Sequence, residues 1–147
     1  MRNINRIIIH CTATPAGRSV SVDEVRAWHI ARGFSDIGYH YLIDLDGSIR
    51  PARSLSLAGA HCRGYNANSI GIAYVGGLSP AGAPADTRTP AQIDALRVLV
   101  RSLCTIFPIE FINGHNEFSE KACPCFNVHD EFFTFVENMK KHYETLF

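Results

Sequence analysis

Apolar residues in this chain fall into short runs with two different periods. Ile7-Ile8-Ile9 is a continuous β-branched run ending in His10. Such a run predicts a strand buried on both faces, in the middle of a sheet covered by helices. Tyr39-His40-Tyr41-Leu42-Ile43-Asp44 and Ile70-Gly71-Ile72-Ala73-Tyr74-Val75 predict further strands, and Glu110-Phe111-Ile112-Asn113 a shorter one. Helical spacing takes over elsewhere. Val22, Val25, Trp28 and His29 share roughly one side of a segment opened by Ser21-Val22-Asp23-Glu24, a capping box with Ser21 as N-cap, and closed near Gly33. Ile93, Leu96, Leu99, Val100 and Leu103 form the stripe of a second helix, with Thr89 as N-cap, Pro90 at its first position and Pro108 beyond its end. A last helix from about Val128 turns Phe132, Phe135, Val136, Met139 and Tyr143 inward.

Between these elements, Asp46-Gly47 marks a hairpin turn and Ser48-Ile49-Arg50 its return strand. Residues 12–20 read as a loop. Residues 52–68 read as a long surface loop of the kind that often carries function, and residues 78–88, rich in Pro, Gly and Ala, as an exposed excursion. The order of elements gives an α/β fold: a single mixed β-sheet, partly parallel and partly antiparallel, flanked by about three helices. It leaves the order of the strands open.

The 147 residues suit a single domain with a substantial core. A hydrophobic fraction of 46%, a charged fraction of 19% and a net charge of +0 fit a globular protein with no electrostatic footprint for nucleic acid or an anionic membrane. No apolar run approaches a membrane span, and Ile7-Ile8-Ile9 is too short for a signal-peptide core. A cytoplasmic monomer is therefore expected. The 5 cysteines are widely spread, which argues for reduced thiols and against a disulfide framework.

His10 and His115 each follow a predicted strand, and Cys123 comes eight residues after His115. Two imidazoles and a thiolate are a three-ligand set for zinc with one position left for water. No HExxH helix is present. On spacing alone, His29, His40, His61, Cys62 and Cys125 form competing sets. A strand-end histidine is also ordinarily a hydrogen-bonded core residue, and a lone cysteine a small buried apolar one.

Six segments recur in a familiar order: His10-Cys11-Thr12-Ala13-Thr14, Gly38-Tyr39-His40-Tyr41, Gly64-Tyr65-Asn66-Ala67-Asn68-Ser69-Ile70-Gly71, Val75-Gly76-Gly77, Thr89-Pro90-Ala91-Gln92 and Lys121-Ala122-Cys123-Pro124. Together they resemble the type 2 N-acetylmuramoyl-L-alanine amidases, most closely the small amidase-type lysozymes of podovirus coliphages. Peptidoglycan recognition proteins share the fold more distantly. The resemblance implies a single zinc amidase domain over residues 1–147, with one Zn2+ held by His10, His115 and Cys123. Tyr39 and Lys121 match the family's catalytic tyrosine and lysine. The implied substrate is bacterial peptidoglycan, cut at the amide between N-acetylmuramic acid and L-alanine.

The residue chemistry is compatible with that reaction. A Cys123 thiolate leaves the metal centre with about one net positive charge. Lys121, two residues away, can bring an ammonium to the developing oxyanion. Tyr39, with an ordinary phenol pKa of about 10, suits a hydrogen-bond donor better than a resting base. In the loop, His61, Arg63, Tyr65, Asn66 and Asn68 are expected to meet the substrate, with Tyr65 stacking on a sugar. Cys125 stands where the family carries a small non-thiol residue, and Cys123 and Cys125 are expected as two separate thiols. The alternative class is a peptidoglycan-binding module without catalysis, typical of relatives that lack the thiolate ligand. A phage RNA polymerase is a further partner in the closest related group, bound through surface residues that no motif here identifies.

Overall fold

The computed structural model describes residues 2–146. The side chains of Met139, His142, Tyr143, Thr145 and Leu146 lie outside the described residues, and with them the expected inward packing of Met139 and Tyr143. β1 (Arg6–Cys11) runs between two parallel neighbours, β5 (Ser69–Tyr74) and β7 (Phe111–Gly114). β3 (Tyr41–Ile43) is parallel to β5 on the far side, and β4 (Ile49–Pro51) closes that edge antiparallel to β3. The sheet has 5 strands in the order β4-β3-β5-β1-β7. Thr14–Pro15 (β2) and Gly77–Leu78 (β6) form a small second ladder beside the ends of β1 and β5. The helices are α1 (Val22–Ala31), α2 (Pro90–Ile106) and α3 (Val128–Leu146). This is the mixed sheet with three helices that the sequence pattern predicts.

Local chemistry sets the helix starts. Ser21 Oγ accepts the Glu24 N–H while Glu24 answers to the Ser21 N–H, and Thr89 and Gln92 repeat the device on α2. Gln92 is fully buried, and its amide N–H group also donates to the Ile43 and Val75 carbonyls at 3.2 and 2.9 Å. One residue thus caps α2 and docks it on the ends of β3 and β5. The hairpin turn uses Gly47 at φ 84, a left-handed conformation that glycine adopts without strain.

The period-2 alternation of β1 and β5 divides the protein. Ile7, Ile9 and Cys11 with Ile70, Ile72 and Tyr74 face one way, against Leu96, Leu99, Val100 and Leu103 of α2 and Val128 and Phe132 of α3. Burial of each such isoleucine or leucine contributes about 1.5–3 kcal/mol. On the other face β5 presents only Ser69, Gly71 and Ala73, and β1 presents Ile8 and His10. The smaller core of Val20, Val25, Ile37, Leu42, Ala73 and Val75 lies there, under α1.

Several details depart from the sequence pattern. Trp28 is 37% exposed while Val25 and His29 are buried, so the packed side of α1 is narrower than expected. Tyr39 and His40 precede the β3 ladder, which needs a partner strand to define it. Residues 78–88 are not simply an exposed excursion. The Arg88 side chain is 4% exposed, bonded to Asp86 and Glu131, and its guanidinium lies 3.4 Å from the Phe126 ring centroid. Among the described residues no helix is long and apolar enough to cross a membrane.

Candidate metal centre

The register of β1 and β7 brings the two histidines together. Ile9 pairs with Gly114, so the residue that follows each is an imidazole, His10 on β1 and His115 just past the end of β7. Neighbouring strands lie about 4.8 Å apart, and the two rings have centroids 4.6 Å apart. Cys123 comes back to the same point from the loop before α3. Its Sγ accepts the Cys11 N–H at 3.2 Å. The next residue is anchored from beneath, where the buried Tyr74 hydroxyl of β5 donates to the Pro124 carbonyl at 2.6 Å.

One ligand atom from each of His10, His115 and Cys123 falls within 4.8 Å of the others, the one group of its kind among the described residues. Of the competing residues, His29, His40, His61, Cys62 and Cys125 are not part of it. A tetrahedral ion with bonds of about 2.0–2.3 Å asks for ligand spacings of about 3.3–3.8 Å, a small contraction from this arrangement. Two imidazoles and one thiolate suit zinc better than a hard cation.

The electrostatics favour the ligand forms. Cys123 is held below the usual thiol range, first by a hydrogen bond from the Cys11 thiol and further by the Cys11 N–H and the Lys121 charge. Cys11 is raised correspondingly by Cys123 and by burial, so the thiolate belongs on Cys123. Burial, with His61 and His115 nearby, drives His10 well below the ordinary imidazole range. His115 is lowered by burial and by Lys121. Both therefore stay neutral, as ligands must. Cys123 and Cys125 are separate thiols.

The group lies in a cleft of 490 Å³ whose lining includes Tyr39, Lys121, His61, Arg63 and Asn66. Tyr39 is half-buried, its ring centroid 5.1 Å from that of His10. Burial, then the Cys123 thiolate, raises its phenol above the ordinary range, so it remains a donor. Lys121 is exposed at the cleft. The proposed substrate loop divides. Arg63 is exposed at the cleft, and Asn66 uses its Oδ1 to accept the His61 and Cys62 N–H groups, shaping the loop. Tyr65 stacks on Phe118 at 4.1 Å and under the Arg6 guanidinium, away from the cleft lining. Asn68 bonds to Asn5. His61 is buried and has both ring nitrogens within hydrogen-bond distance of His10 and Ser69.

His29, Arg32 and Phe34 also line the cleft, and sequence reasoning did not place them there. His29 accepts the Gly38 N–H at 2.8 Å and stacks against Tyr39 at 5.1 Å, which positions that ring. The available signal was a histidine near the C-terminal end of α1, on the side that packs toward the sheet.

An α/β domain with a candidate ligand group at the carboxyl ends of parallel strands, open to a cleft, is an arrangement that metal-dependent hydrolases use. Residues 1–126 match the family model of the N-acetylmuramoyl-L-alanine amidases, and the chain belongs to that family. It is an N-acetylmuramoyl-L-alanine amidase. The endolysin of Klebsiella phage KP32 is 39% identical over 124 residues, covering 84% of this chain and 82% of the relative. The structure of the amidase LysC from Clostridium intestinale URNW superposes with a TM-score of 0.77 at 29% identity, covering 93% of this chain and 87% of that one. PGRP-SA of bumblebee shares the fold at a TM-score of 0.74 and 24% identity, covering 93% of this chain and 87% of that one.

Proposed function

We propose that this amidase is a single zinc-dependent domain that lyses bacterial cell walls, as a phage endolysin or as a delivered antibacterial effector. It hydrolyses the amide between the lactyl group of N-acetylmuramic acid and the L-alanine of the stem peptide. The observation that carries this reading is the convergence of His10, His115 and Cys123 within 4.8 Å in a cleft that also contains Tyr39 and Lys121.

His10, His115 and Cys123 would hold the ion, which when bound would supply a Lewis acid and water ionised near pH 7. The chain's own residues do the rest. The Lys121 ammonium stands beside the oxygen that gains charge as water adds to the carbonyl carbon. The Tyr39 phenol, kept protonated, donates a hydrogen bond to the same tetrahedral centre. Collapse breaks the C–N bond, leaving a lactyl carboxylate on the sugar and a free amino terminus on L-alanine. Arg63 at the cleft suits a stem-peptide carboxylate. In this reading the protein reaches the wall by release or delivery.

The test is clearing of a suspension of purified walls, with free amino termini measured alongside. Clearing stops with chelator and returns with zinc. Wall binding without release of L-alanine amino termini would overturn the catalytic part of the reading. Activity that survives complete chelation would overturn the metal part.

A further inference from the structure

His61 occupies a slot built around its ring. A Cβ added at Gly71 on β5 would lie 2.6 Å from the ring carbons Cδ2 and Cγ, and one added at Gly59 would overlap the same ring. Any side chain at either position displaces the imidazole. Ser69, Gly71 and Ala73 keep that face of β5 low enough for it. Within the slot, His61 Nδ1 stands 2.8 Å from His10 Nε2, and His61 Nε2 stands 3.1 Å from Ser69 Oγ. His10, His61 and Ser69 are 1%, 9% and 0% exposed.

A neutral imidazole carries one proton, so each ring donates through one nitrogen and accepts through the other. His10 has its Nε2 engaged by His61, which leaves Nδ1 as its free ligand nitrogen. Nδ1 can bind an ion only when the proton sits on Nε2. That proton needs an acceptor, and among the described residues the one at hydrogen-bond distance is His61 Nδ1. His61 must then carry its own proton on Nε2 and donate to Ser69. The directions are consistent through all three residues.

We propose that His61 is a positioning residue for the metal ligand His10: it accepts the His10 Nε2–H, fixes the tautomer that frees Nδ1, and is itself oriented by Ser69. This rests on the zinc reading above. It replaces the expected role of His61 as a substrate donor, because both of its nitrogens are engaged. Groups behind metal-bound histidines are usually carboxylates or carbonyls that hold the ring and raise its basicity. An imidazole holds the ring without adding negative charge. In a site that already contains a thiolate, this preserves the net positive charge on which the electrophile depends.

The experiment is zinc affinity of the full chain by competition with a colorimetric chelator, for wild type, Cys123→Ser, His61→Leu and His61→Asn. His61→Leu fills the slot without an acceptor and should weaken zinc binding about 10–100-fold, with the metal-free circular dichroism spectrum unchanged. His61→Asn can bring its Oδ1 to the place of Nδ1 and should recover most of that loss. Leu binding zinc as tightly as wild type, or Asn binding as weakly as Leu, overturns the proposal. Imidazole 15N spectra of zinc-loaded wild type decide the matter without a variant. His61 protonated at Nε2 supports the proposal, and His61 protonated at Nδ1 overturns it. If wild type holds no zinc, or Cys123→Ser holds it as well as wild type, the zinc reading itself falls; that result is distinct from a failure confined to the His61 variants.

Discussion

The two faces of β1 and β5 are built by opposite rules. One face is Ile7, Ile9, Ile70, Ile72 and Tyr74 pressed against α2 and α3. The other is Ile8, His10, Ser69, Gly71 and Ala73, with the imidazole of His61 laid over the gap and the ring of His40 6.0 Å from it. The first face stabilises by area and tolerates change in proportion to volume lost. The second gives up apolar contact so that polar rings can be placed and hydrogen-bonded. The imidazoles of His10, His40 and His61 are committed by direction as well as by size. Stability and chemistry thus share two strands and separate by the side of the sheet.

The comparison breaks hardest on the apolar face. Leu96→Ala, at a fully buried position of α2, is expected to lower unfolding free energy by about 2–5 kcal/mol. Zinc stoichiometry at low temperature should stay at one per chain. Denaturant titration and metal analysis on the same preparation check both halves. If zinc were lost in the folded variant, the two faces would not be separable.

Next comes Lys121→Met. It removes the ammonium from the cleft and should reduce kcat/KM about 100-fold with zinc saturating, and with no change in thermal stability. Unaltered turnover on purified peptidoglycan fragments would remove Lys121 from the mechanism.

A smaller effect appears in acid. Burial, eased by the Leu57 carbonyl and reinforced by Arg2 and Arg53, pushes His40 down to about 4. Between about pH 6.5 and 4 the unfolded chain takes up a proton there and the native protein does not. Native stability is therefore complete above about pH 6.5 and falls as pH drops toward 4. The loss at pH 5 is about 2 kcal/mol from this residue. His40→Asn keeps an acceptor for the Gly71 N–H, which His40 Nδ1 now receives at 3.0 Å. Its stability should fall less between pH 7 and 5, by about that amount, in urea titrations of metal-free protein. An identical fall in variant and wild type would contradict the assignment.

The smallest is Ser69→Ala, which removes one buried hydrogen bond to His61 and should cost about 0.5–1.5 kcal/mol of stability. A null result in denaturant would mean that His61 has another acceptor in solution.

The helix starts and strand cores were legible in the sequence because they are local. Ser21 to Glu24 and Thr89 to Gln92 specify their caps within one turn. His10, His115 and Cys123 were singled out by type and by ordered motifs, and the geometry brings the three together. What joins them is not local. Ile9 pairs with Gly114 across 105 positions, and nothing in either segment names the other. The same gap explains Arg88, whose partner Glu131 lies 43 residues on in α3. It also explains Tyr65, whose exposed-looking ring finds Phe118 and Arg6. The packing of His61 was hidden for a different reason. Its slot depends on the absence of side chains at Gly59 and Gly71, and an absence gives no periodic signal.

The position of β1 also governs the order in which the protein can assemble. The strand that precedes all others in sequence lies between β5 and β7, so neither of its edges can be satisfied early. During synthesis, residues 6–11 wait for residues 69–74 on one side and for residues 111–114 on the other. Such distant pairings slow folding, and on a ribosome they postpone it. Because His115 and Cys123 come later still, the candidate ligand group cannot form on a partial chain. The cleft chemistry is therefore the last thing the chain can assemble, completed only when nearly all of it is available.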